Sequence, residues 1–164
     1  MKKTVLITIF MLLIACFCAN AEPAPTAEPG VTAAYLDISL TLPADWQEYP
    51  LTEEQTAAGI GACYGNGSLF LTISAAERSR DIPDAAAYMA SLSVPGAFIE
   101  SFGGYEFVLY NDLENGSAVC AVPATDLLMY TFVFSPVTGA EEDALTILGI
   151  METFSVNTAP EAKY

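Results

Sequence analysis

Any chemistry in this chain must be done without histidine, because its 164 residues contain none. Ser-His-Asp and Cys-His nucleophile arrangements are therefore excluded, and so is an imidazole metal site. No G-x-S-x-G elbow and no phosphate-binding glycine loop occurs. The groups that remain are scattered carboxylates and two cysteines in apolar segments, Cys63 and Cys120. Paired carboxylates can hydrolyse glycosides, so the acidic runs are the places to look. Glu53-Glu54 reads as part of a loop, and Glu141-Glu142-Asp143 as the first turn of a helix, where the dipole favours negative charge. Neither lies in an apolar setting that would shift a pKa. "NDLENGS" (residues 111–117) brings oxygen ligands close together, but it lacks the EF-hand spacing and reads as a hairpin turn. No catalytic residue, cofactor or metal ligand is expected.

The N-terminus carries a different kind of information. Lys2 and Lys3 precede an apolar run over residues 4–18, which is short for a membrane-spanning helix of about 20 residues. Ala19 and Ala21 then supply the small residues that a signal peptidase reads, predicting residues 1–21 as a signal peptide and Glu22 as the mature N-terminus. Leu13-Ile14-Ala15-Cys16 also fits a loose lipobox, in which Cys16 would carry a lipid. The apolar run continuing through Phe17 and Cys18 favours the first reading. The protein is thus expected outside the cytoplasm, secreted or lipid-anchored, with no transmembrane span once the signal is removed.

The exported portion holds all 20 acidic residues and only three basic ones, Arg78, Arg80 and Lys163, a formal charge of −17. Such a surface repels nucleic acid and anionic lipid and favours a cationic ligand or another protein as partner. The single lysine sits in the C-terminal tail, which excludes a buried Schiff-base lysine. In an oxidising compartment Cys63 and Cys120 permit one disulfide. Two buried thiols are the alternative, and the surrounding apolar residues do not decide between them.

The elements follow from periodicity. Residues 22–31 alternate proline, alanine and acid and read as a flexible leader. The domain spans residues 32–156, and residues 157–164 read as a frayed tail. Leu36, Ile38, Leu40 and Leu42 alternate with polar residues as one half-buried strand, ended by Pro43. Next comes a hairpin turning at Asn66-Gly67, with both residues able to take positive φ. A helix capped by Asp81, with Pro83 in its first turn, presents Ile82, Ala85, Ala86, Met89 and Leu92 on one face. Four strands follow, the last of them apolar on both faces and therefore central. The final helix is expected to open at Thr138, with Glu141 completing a capping box and Ala144, Ile147, Leu148 and Met151 buried. The fold class is α+β, an antiparallel sheet of about six to seven strands with helices packed on it.

"ISLTLPADW", the helix near Asp81, "GGYEFVLYND" and "ALTILGIMETFSV", in this order over residues 36–156, resemble the PsbP-like fold family. That family includes the extrinsic photosystem II subunit, a small Ran-binding nuclear-import factor and many exported bacterial proteins. The resemblance implies an α/β/α sandwich in which Trp46 follows a tight turn and folds back as a cap on the core. An exposed Trp46 for ligand stacking is the alternative. The resemblance also implies action by binding other proteins, but no binding-residue motif carries over. The expectation is an exported, non-catalytic binding or accessory domain, against a carboxylate-dependent hydrolase or a purely structural envelope protein.

Overall fold

The computed structural model describes residues 30–157. Cys16, Ala19, Ala21, Glu22, the signal peptide, most of the leader and the tail beyond residue 157 lie outside them. Ten strands form two antiparallel sheets, and three helices pack on these. β1 (Val31–Tyr35), β2 (Ile38–Leu42) and β10 (Ser155–Val156) make a small sheet in the order β1-β2-β10. The larger sheet contains β3 (Gln47–Glu48), β4 (Ile60–Gly65), β5 (Phe70–Glu77), β6 (Phe98–Phe102), β7 (Tyr105–Asp112), β8 (Ser117–Val122) and β9 (Leu128–Ser135). Its order is β3-β4-β5-β9-β8-β7-β6, so the apolar β9 is the middle strand. The helices are α1 (Glu53–Ala57), α2 (Ala85–Leu92) and α3 (Glu141–Met151).

One face of the large sheet meets the small sheet and α3. Tyr130, Phe132 and Phe134 of β9, Leu71 and Ile73 of β5, and Phe107 and Leu109 of β7 pack there against Ile38, Leu40, Leu42, Ile147, Ile150 and Met151. Phe154, just after α3, sits edge-on to Tyr105, Phe107 and Phe132, with ring centroids 5.3, 5.0 and 5.8 Å away. Each such fully buried side chain contributes about 1.5–3 kcal/mol relative to exposure. The other face is covered over β6 and β7 by α2, with Ala85 buried.

Several local expectations change. Leu36 leaves the alternating face: it takes φ 54° in the two-residue turn joining β1 to β2, and it is 64% exposed. The strand begins at Ile38, and β1 precedes it, unanticipated because its alanines give little hydrophobic contrast. Asn66 does not share the positive φ of the β4–β5 turn, which falls on Gly67 alone. Its side-chain carbonyl instead accepts from the backbone N–H groups of Ser68 and Leu69, both at 3.0 Å.

The helix starts also move. α2 is capped by Asp84, which accepts from Ala87 N–H at 2.8 Å, and not by Asp81. The reason is Pro83, which disfavours helical backbone at Ile82, the residue that would follow an Asp81 cap. Of its expected stripe only Ala85 is fully buried, and Ala86 is exposed. α3 begins with Ala140 as N-cap, without a side-chain cap bond. Asp143 reaches back in place of Glu141, accepting from Thr138 N–H at 2.8 Å and Thr138 Oγ1 at 2.6 Å. Ile150 replaces Leu148 among its fully buried residues. Glu53 and Glu54 belong to α1, which Thr52 and Gln55 start with a capping box.

Candidate functional site

The residues singled out for chemistry do not converge. Cys63 pairs with Thr72, which pairs with Val133 and so with Val119, while Cys120 lies in the adjacent row with Phe132, Ile73 and Ala62. Adjacent rows point to opposite faces of a sheet. β5 and β9 stand between the two cysteine strands, a lateral gap of roughly 14 Å at the usual strand spacing. A disulfide needs a Cα separation of about 4.4–6.8 Å. Both cysteines are buried free thiols. Burial raises the pKa of Cys63 and pushes that of Cys120 up to about 12, so neither is an activated nucleophile.

Trp46 follows a turn closed by its own N–H donating to the Pro43 carbonyl at 3.1 Å. Its ring is 3% exposed and belongs to the main core. The indole N–H is buried without a hydrogen-bond partner among the described residues. The carboxylate of Asp112 is used within its turn, accepting from Glu114 N–H and Asn115 N–H at 3.2 Å and from Asn115 Nδ2 at 2.6 Å. Its hydrogen bonds to the Asn115 side chain and backbone hold it below the ordinary aspartate pKa. Among the described residues no three His, Cys, Asp or Glu side chains are grouped to hold a metal ion.

What the fold does form is an open groove of about 290 Å³ where the free end of the β1–β2 hairpin meets α3. One wall is Gly30, Thr41, Leu42 and Pro43. The other is Leu145, Thr146, Gly149, Ile150 and Thr153. Thr153 ties the walls together: its Oγ1 accepts from Thr41 N–H at 2.8 Å and donates to Ile150 O at 2.7 Å. Leu145 is 38% exposed, one of four large apolar side chains in the described domain that stand out into solvent. A Cβ added at Gly149 would meet nothing within 4 Å. It stands in the last turn of α3, where glycine costs up to about 0.5–1 kcal/mol relative to alanine, and no neighbour requires it. The groove stands at the lower bound of small-molecule sites, which run from about 300 Å³. It suits a side chain or a short segment more than a cofactor.

The electrostatic setting is one-sided. Residues 30–157 carry 17 acidic side chains and two arginines. Arg78 meets Asp126 at 3.4 Å, with that carboxylate fully exposed. Both arginines follow β5 at the end of the sandwich marked by Tyr130, whose hydroxyl donates to Asp37 in the β1–β2 turn. The groove is at the opposite end of that hairpin, so they do not neutralise it. Glu142 lies on the same helical stripe as Leu145, Gly149 and Thr153, and Glu152 flanks Gly149 one turn on. Sequence reasoning missed this site because its walls lie about a hundred residues apart in the chain. The one local signal was Gly149, a glycine within a helical stretch.

No protein-family profile matches the sequence, and no curated protein does. Solved structures do. A crystal structure from Bacteroides thetaiotaomicron superposes with a TM-score of 0.53 at 15% identity, covering 74% of this chain and 46% of that one. The chain therefore spans about half of that protein's length. The solution structure of cyanobacterial PsbP (CyanoP) from Synechocystis matches with a TM-score of 0.54 at 10% identity, covering 84% of this chain and 98% of that one. LpqN of Mycobacterium tuberculosis, described as involved in cell envelope biogenesis, aligns at a TM-score of 0.48 and 13% identity over 84% of this chain and 90% of its own. The fold of this chain is PsbP-like.

Proposed function

We propose that this chain is an exported, non-catalytic binding or accessory domain of the cell envelope or secreted space, and that it engages its partner through the groove beside α3. The observation that carries this reading is Gly149, a glycine in the last turn of α3 with open space where a side chain would stand. Helix propensity favours alanine over glycine there. The exposed Leu145 beside it gives an incoming apolar group something to bury against. Export rests on the N-terminal pattern of Lys2, Lys3, the apolar run and the Ala19/Ala21 site. The non-catalytic reading is supported by the lack of histidine and by the turn and helix-start roles of the acidic runs. It is tested by affinity capture from the producing cell's envelope fraction with the exported protein, beside a Gly149→Leu variant. A partner retained by the wild type and lost by the variant is the expected result. A partner held equally by both would remove the groove from the account.

A further inference from the structure

The charge around the groove narrows what it can hold. Glu142 stands one helical turn before the groove-lining Leu145 and Glu152 one turn after Gly149, both are exposed, and no cationic side chain of the described domain lies at this end. An anionic occupant would be repelled, whereas a cationic one would be attracted by both carboxylates. The residues that lead into Gly30 at the groove's rim are themselves acidic, with Glu22 and Glu28 and no cation, so this chain's own leader is the wrong complement. A second copy is equally mismatched, since it brings the same acidic surface.

Resting on the reading of the groove as the binding surface, we infer that its occupant is a basic segment of another exported protein, carrying one apolar side chain between lysines or arginines. The apolar side chain fills the space over Gly149 and packs on Leu145. The flanking cations meet Glu142 and Glu152. Thr41 and Thr146 add polar residues to the two walls. The volume of about 290 Å³ holds one such side chain with adjoining backbone, so affinity comes from a single anchor plus charge.

The test is a calorimetric titration of purified exported protein with an acetylated hexapeptide of alternating lysine and leucine. Its glutamate–leucine counterpart and a peptide copying residues 22–29 serve as comparisons. The lysine peptide is expected to bind, more weakly at high salt, and neither acidic peptide should bind or compete. Gly149→Leu should weaken it by about tenfold or more, the scale of one excluded apolar side chain. The double reversal Glu142→Lys with Glu152→Lys, both at exposed positions, should abolish lysine-peptide binding and admit the glutamate peptide. Lysine-peptide binding that Gly149→Leu leaves unchanged would show attraction to the acidic coat alone, and would overturn both this inference and the groove reading. Preference for the glutamate peptide or the leader peptide, lost in Gly149→Leu, would overturn the charge assignment and leave the groove standing. No binding of the lysine peptide would also overturn the charge assignment.

Discussion

At its turn, the β1–β2 hairpin is locked down. The Tyr130 hydroxyl donates to the Asp37 carboxylate, Asn157 N–H donates to the Asp37 carbonyl, and Tyr35 stands edge-on to Tyr130 at 6.5 Å over Gly61, where any side chain would meet its ring. At its other end, beyond Leu42, the hairpin is joined to α3 by Thr153, and the space beside that link stays empty. Both ends contain a residue that local preference would not choose. Leu36 holds a left-handed backbone at the turn, and Gly149 occupies the last turn of a helix beside the groove. At the turn the compensation is visible, since the bonds of Asp37 hold the conformation. At the groove none is visible in the fold. A departure from local preference that the structure does not repay is where function is to be sought.

The comparison is broken most severely by undoing what holds the small sheet to the large one. Phe154 joins α3 to β10 and contacts three aromatic rings of β7 and β9. Phe154→Ala should cost about 3–5 kcal/mol in denaturant unfolding, as large aromatic truncations do. Loss of less than about 1 kcal/mol would mean that the two sheets do not share this core.

The lock itself is tested by pH. Burial first, and then the hydrogen bond to Asp37, raise the Tyr130 pKa far above the ordinary phenol value of 10.0. Burial likewise raises Tyr88 to about 12 from 10.0 and Cys120 to about 12 from 9.0. Between the unfolded and folded values the native state holds protons that the unfolded chain has lost, so stability falls as pH rises. These contributions are fully present below about pH 9 and are lost progressively above it. Tyr130→Phe should lower stability by about 1–2 kcal/mol at neutral pH and make the alkaline fall shallower. An unchanged alkaline slope would show that Tyr130 is not part of it.

Relief at the turn is a smaller effect of opposite sign. Leu36→Gly removes a left-handed leucine that is mostly solvent-exposed, and should raise stability by about 1 kcal/mol. A loss would mean that the leucine side chain packs in a way that its exposure hides.

How much of this was legible follows from the range of each signal. Local periodicity was enough for β2, for the β4–β5 hairpin and for the four strands from Phe98 to Ser135. The central place of β9 came from its apolar residues on both faces. Capping was legible in kind but not in position, because "DIPD" offers two acids and "TGAEED" three, and tertiary fit chose Asp84 and Asp143. The short β1 and the five-residue α1 had no apolar contrast to reveal them, although Thr52 and Gln55 were a readable cap. Whether Cys63 and Cys120 face each other depends on strand order, which alternation does not carry. The groove was invisible for a related reason: it exists only once Leu42 and Leu145 are brought together.

If the groove exists for binding, the fold itself has no need of Gly149. Urea unfolding of Gly149→Ala measures it directly, since the helical backbone accepts alanine and the added Cβ meets nothing. The account predicts a gain of about 0.5–1 kcal/mol over the wild type. A loss of stability would contradict it, because the glycine would then be serving the fold and the groove would be a by-product of packing.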